Sequence, residues 1–150
     1  MKTLKINITK AEIFREAALL TAYAGLKGDP TVHPVAKVAL ADEDGELAER
    51  LWKETTGETA EKLQCFIEGS EIDRENFSLT LSLSNSYDDA LTPSVVNDLT
   101  ASIVNGVTAR WFRYALPERA GEWNLQSSDL LDRAFRKLCH RKKPNRKTLT

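Results

Sequence analysis

The sequence predicts a mainly α, single-domain protein of four to five helices with two short β-strands. Three observations carry this. Apolar residues step by three and four over most of the chain, the period of one helix face. Two short segments instead alternate apolar with polar, the period of a half-buried strand. The 150 residues, 41% hydrophobic and 29% charged with seven Gly and five Pro, have the size and composition of one ordinary domain. The expected boundaries are a helical domain over 1–140 and a basic, flexible tail over 141–150.

Leu4, Ile6 and Ile8 alternate with Lys5 and Asn7, which predicts an opening strand. Thr9 stands three residues before Glu12, the spacing at which each side chain caps the other's backbone N–H. A helix from Lys10 to Ala24 follows, with Ile13, Phe14, Ala17, Ala18, Leu20, Thr21 and Ala24 on its core stripe. Gly25, Gly28 and Asp29-Pro30 end it. The stretch Thr31 to Ala41 is too short for periodicity to decide, and leans helical after Pro34. Asp42 or Asp44 caps a longer acidic helix reaching Ile67, with the stripe Ala48, Trp52, Thr55, Thr59, Leu63 and Phe66. Gly57 interrupts it at a cost of about 1 kcal/mol.

After Gly69, Phe77, Leu79, Leu81 and Leu83 alternate with Ser78, Thr80, Ser82 and Ser84, which predicts a second strand with one buried and one wet face. The two strands pair with each other or with a neighbouring subunit, because two strands alone are marginal. Thr92 before Pro93 starts the core helix, whose stripe is Val96, Leu99, Ile103, Val107, Trp111 and Tyr114 and whose end is Leu116-Pro117. Gly106 in its middle is either a close helix crossing or a tolerated defect. A polar stretch, Glu118 to Gln126, leads to Ser127-Ser128, which cap a last helix carrying Leu131, Phe135 and Leu138. Asp129 with Arg133 and Asp132 with Arg136 have favourable i,i+4 spacing, and Pro144 closes the helix.

The net charge of -1 conceals two poles. All 22 acidic residues and 13 basic ones lie at or before Asp132, whereas the chain from Arg133 onward has eight basic and no acidic residues. Twelve carboxylates fall between Asp42 and Glu75. No apolar run approaches the roughly 20 residues of a membrane helix, so no membrane partner is expected. Met1 to Phe14 has no continuous apolar stretch, so it does not read as a signal peptide, and the expected location is cytoplasmic. Cys65 and Cys139 each sit beside apolar residues in helical patterns and are expected to be buried, reduced thiols.

The chemistry-bearing residues do not converge in sequence. His33, His140, Cys65 and Cys139 are the only soft metal donors, and Cys139 and His140, being adjacent, diverge on a helix. Asp42-Glu43-Asp44-Gly45 fails as a calcium loop, because setting Gly45 at the sixth position puts Leu40 where a carboxylate is needed. No nucleophile elbow, phosphate loop or dinucleotide glycine pattern occurs, and Asp88-Asp89 after Tyr87 reads as a turn. No catalytic residue, metal or cofactor is expected. Trp111, Phe112 and Tyr114, interleaved with Arg110 and Arg113, are the one group suggesting base stacking with phosphate contact. Trp111 and Tyr114 fall on the core stripe, which leaves Phe112, Arg110 and Arg113 for the outside. Trp123, in the polar stretch, is the expected interface anchor.

The order of elements resembles the small, mainly helical head-tail connector or adaptor proteins of tailed phages and prophages. The resemblance runs over an acidic helix from Asp42 to Ile67, the strand Phe77 to Ser84, the helix Pro93 to Tyr114 with its Arg-Trp-Phe ending, and the basic finish from Arg133 to Arg146. It does not cover Leu4 to Ala24. It implies a non-enzymatic ring subunit between portal and tail, homo-oligomeric, touching other virion proteins, facing DNA non-specifically and located in the virion. The alternative is a small nucleic-acid-associated or regulatory protein acting through its basic tail. The interaction candidates are Arg110, Arg113, Trp123, Arg141, Lys142, Lys143, Arg146 and Lys147.

Overall fold

A computed structural model describes residues 1–27, 40 and 45–144. The chain opens with β1 (Lys2–Thr9), which runs without a linker into α1 (Lys10–Lys27). Then come α2 (Gly45–Lys62), the hairpin β2 (Ile67–Ile72) and β3 (Asn76–Leu83), a single 3₁₀ turn (Asp89–Leu91), α3 (Thr92–Ala115) and α4 (Pro117–Cys139). This is the mainly α domain with short strands that the periodicity predicts. The stretch 31–41 apart from Leu40, the caps at Asp42 or Asp44, His33, Arg146 and Lys147 lie outside the described residues.

The sheet is antiparallel with the order β1-β3-β2. β1 and β3 pair over their full lengths, from Lys2 opposite Leu83 to Thr9 opposite Asn76. The sequence predicts two strands and three are found among the described residues, because the acidic helix does not reach Ile67. It ends at Lys62, a turn over Leu63–Phe66 follows, and Ile67 begins β2. The sequence Glu-Gly-Ser-Glu has no alternating pattern. It is strand because β3 lends it a ladder, with a register irregularity between Ile67 and Gly69. Asp73 shapes the hairpin turn, its carboxylate accepting the N–H groups of Glu75 and Asn76 at 2.7 and 2.6 Å.

The sheet's inner face, Ile6, Ile8, Phe77, Leu79, Leu81 and Leu83, joins Leu99, Ile103 and Val107 of α3 in one core cluster. Leu63 and Trp111 are buried with them. α3 is the central element, packed by α1, α2 and most extensively α4. α2 buries Thr55, Thr56 and Thr59, which is tolerable because each hydroxyl donates to the carbonyl one turn earlier, those of Leu51, Trp52 and Thr55. Trp52 donates its indole N–H to Asp73 O at 3.0 Å and so ties α2 to the hairpin turn. Gly57 causes no break.

Several expectations need correction. α1 continues through Gly25 to Lys27. Thr92 is the first residue of α3 rather than its cap, and its hydroxyl lies 3.1 Å from that of Tyr87. The polar stretch 118–126 is helix: Pro117 starts α4 directly after Leu116, and Ser127 lies inside it. Cys65 and Cys139 are exposed, Cys65 in the turn after α2 and Cys139 on the outer side of the last turn of α4. Phe112 is buried and Tyr114 is 62% exposed, the reverse of the expected assignment. α3 is covered on more than one side, so a single stripe underestimates its buried face. The ring of Trp123, one hairpin away, meets Phe112 at a centroid distance of 6.0 Å.

Candidate functional site

The interaction candidates separate into two groups. Arg110 belongs to the interior of the helical layer. Its side chain is only 12% exposed, and it reaches from α3 to Glu54 and Glu58 of α2. Gly106 O accepts a further bond from it at 3.4 Å. Arg110 therefore joins two helices, and its charge is engaged within the molecule. Trp123 is half-buried against Phe112 and serves the α3–α4 hairpin rather than an outer anchor. Arg113 is exposed.

The second group lies at the C-terminal end of α4. Lys137 turns inward and holds Asp98 of α3 at 2.5 Å and Ser94 at 2.6 Å. Beyond it the chain folds back. Arg141 forms a bridge with Tyr87, and Lys142 N–H donates to Ser86 O at 2.6 Å. The backbone of the expected tail thus docks through Lys142, while the side chains of Arg141, Lys142 and Lys143 remain exposed. With Arg133 and Arg136 they make no ion pair among the described residues, so five cations stand along the end of α4 and just beyond it. His140 is exposed beside them.

A cleft of about 360 Å³ opens between α2 and α4, with α3 as its floor. Gly106 lies against three of its lining residues, Thr55, Ser127 and Arg110. A Cβ placed there would lie 2.8 Å from Thr55 Cγ2 and 3.1 Å from Ser127 Oγ, so glycine lets α2 and α4 both close on α3. The choice left open by the sequence is settled as a close crossing. Beside it Ser102 and Ser127 exchange hydroxyl-to-carbonyl hydrogen bonds at 2.8 and 2.7 Å, clasping α3 to α4. Farther out α2 and α4 part, and Lys62 bridges them to Asp132 at 2.9 Å. That ammonium, by hydrogen bond and by charge, holds the Asp132 carboxyl below the usual carboxylate range. Asp132 was expected to serve Arg136, and its principal partner is Lys62.

The cleft is lined by carboxylates, Ser, Thr, Asn, Lys62, Arg110 and Leu131, without His or Cys. Among the described residues no three His, Cys, Asp or Glu side chains form a metal-holding group. Asp88 and Asp89 form the expected turn, Asp88 accepting from Ala90 N–H and Asp89 pairing with Lys2 at 2.9 Å. No described helix is long and apolar enough to cross a membrane. Sequence reasoning missed Lys62, Asp132, Glu58 and the serine clasp. Their partners lie on other elements, and only Gly106, which the sequence leaves as either a close crossing or a tolerated defect, marked the place.

Comparison with known proteins finds no family model that matches the chain, no matching curated protein and no matching solved structure.

Proposed function

We propose that this chain is a non-enzymatic structural subunit of an assembly, of the head-tail connector type that its element order resembles. The observation that carries the reading is the division of the surface into unlike ends. α2 exposes Glu46 and Glu61 beside the Glu54 and Glu58 that Arg110 holds, while Arg133, Arg136, Arg141, Lys142 and Lys143 stand without an ion pair among the described residues along the end of α4 and just beyond it. Opposite fixed charges on separate parts of one chain suit repeated contact between copies, or contact with DNA lining a ring. Arg110 is not part of that surface. The reading keeps Arg113, Arg141, Lys142 and Lys143 as contact residues, with Arg146 and Lys147 extending the same charge.

The deciding measurement is molar mass in solution across protein concentration and ionic strength. A closed oligomer of defined mass is expected, and a monomer under every condition would overturn the reading. The same basic end also favours direct nucleic-acid binding by a lone subunit. That alternative predicts a monomer whose DNA affinity falls steeply with salt, as counterions return to the phosphates.

A further inference from the structure

Among the described residues the sheet has two open edges, and their backbone polarity follows from the register. Ser82 N–H donates to Phe66 O on the β2 side, so Ser78, Thr80 and Ser82 direct their backbone groups toward β2. In an antiparallel ladder the alternate residues face the other way. Leu79 and Leu81 therefore serve β1, through Ile6 and Leu4 opposite them. It follows that Thr3, Lys5 and Asn7 turn both N–H and C=O outward, at an edge with no partner among the described residues. On the other side, Asp73 N–H closes the hairpin onto Asn76 O and Glu71 opposes Ser78, which leaves Ser70 and Ile72 facing outward. Ile72 is 40% exposed.

The edges differ in charge. Lys5 is exposed in the middle of β1, whereas Glu68 and Glu71 are exposed along β2, and none of the three has an ion-pair partner among the described residues. Two β1 edges brought together oppose ammonium groups, and two β2 edges oppose carboxylates. Like charges across a strand pair are unfavourable and unlike charges favourable. A two-fold dimer through either edge is thereby disfavoured.

We propose that copies of this chain join head to tail, the β1 edge of one meeting the β2 edge of the next. Both strands are antiparallel to β3, so they run parallel to each other, and the joined sheets continue as a parallel ladder across the contact. Such a contact leaves each copy with one edge used and one free, which generates a closed ring or an open filament. This deepens the assembly reading and rests on it, naming the surface through which copies meet.

The test is sedimentation analysis of the full chain and of Lys5→Glu, Glu71→Lys and the double variant, with circular dichroism confirming that each folds. Both positions are exposed, so folding is expected to be retained. Lys5→Glu makes the two edges alike, Glu71→Lys adds an ammonium to the β2 edge beside the remaining Glu68, and each should weaken association about fivefold or more at low salt. The double variant, and an equimolar mixture of the two single variants, restore unlike edges and should recover it. Slowed amide exchange at Thr3, Lys5 and Asn7 in the assembled form is the accompanying signature. Assembly unaffected by either reversal, with those amides unprotected, would overturn the edge contact while leaving the assembly reading in place, Lys5 and Glu71 then serving only to guard bare edges. A monomer at all concentrations would overturn both.

Discussion

Single side chains at the helix crossing set the geometry of the α-helical layer. Alanine at position 106 would gain about 1 kcal/mol of helix propensity over glycine. Its Cβ would also collide with the Thr55 methyl group at 2.8 Å, and overpacking of this kind costs about 1–3 kcal/mol. Gly106→Ala is therefore expected to lower the urea midpoint. Adding Thr55→Ser, which removes the methyl and keeps the hydroxyl bond to Leu51 O, should recover it. Thr108 offers the opposite experiment. It is fully buried and its hydroxyl has no hydrogen-bond partner among the described residues. Thr108→Val keeps the shape, removes the orphaned group, and should raise stability by about 1 kcal/mol in the same melts. Asp73 and Asp132 set a pH dependence. Backbone N–H groups of Glu75 and Asn76 lower the first, and Lys62 lowers the second. The unfolded chain takes up protons at these carboxyls first, so their contribution is present above the usual carboxylate range and is lost as pH falls through the folded-state values. Asp73→Asn and Asp132→Asn should each flatten the acid limb of a stability-versus-pH curve.

Among the elements, α3 holds the fold together. Ile103 is fully buried between the sheet and the other helices, and Ile103→Ala should cost about 2–5 kcal/mol through lost transfer energy and the cavity left behind. An effect under about 1 kcal/mol in denaturant melts would contradict the helix face assigned to it. The legibility of each element tracks how one-sided its burial is. β1, β3 and α1 each bury one face against one layer, so their alternation or stripe named them. α3, enclosed by neighbours, buries Phe112 as well as Leu99, Ile103, Val107 and Trp111 of the stripe, and no single period could have separated Phe112 from Tyr114. The first half of α4 failed for the opposite reason. From Pro117 to Gln126 only Ala120 and Trp123 face the core, so almost no apolar signal remained. β2 exposes nearly every residue and depends on β3 for its strand conformation. The candidate site was legible only as charge. The basic end could be read from composition, whereas Arg110 looked like a surface cation because Glu54 and Glu58 lie more than fifty residues away in sequence.

At the scale of the whole molecule, the C-terminal region divides at a different point from the one composition suggests. The backbone through Lys142 is held by Ser86 and Tyr87, so removing everything after Arg141 deletes one hydrogen bond, worth about 1 kcal/mol. Truncation after Pro144 leaves that bond intact. It should leave the melting temperature unchanged while removing Arg146 and Lys147, and self-association should weaken, more at low salt than at high, because screening already suppresses the charge at high salt. If truncation after Pro144 unfolds the protein, the last six residues are structural and the charge-pole reading is wrong.

The direct junction of β1 with α1 also bears on how the chain is made. β1 leaves the ribosome before α1 and α2, yet its partner β3 follows only after both, so β1 waits for two helices to be made before it is paired. That order invites exchange, in which one chain lends its opening strand to another. Exchange of this sort needs a hinge, and here Thr9 ends the strand and Lys10 begins the helix. The strand cannot swing away without carrying an 18-residue helix docked on α3, so strand and helix enter or leave the fold as one cooperative unit. A Gly-Ser insertion between Thr9 and Lys10 would supply the missing hinge, and strand-exchanged species that persist at high salt are its expected outcome.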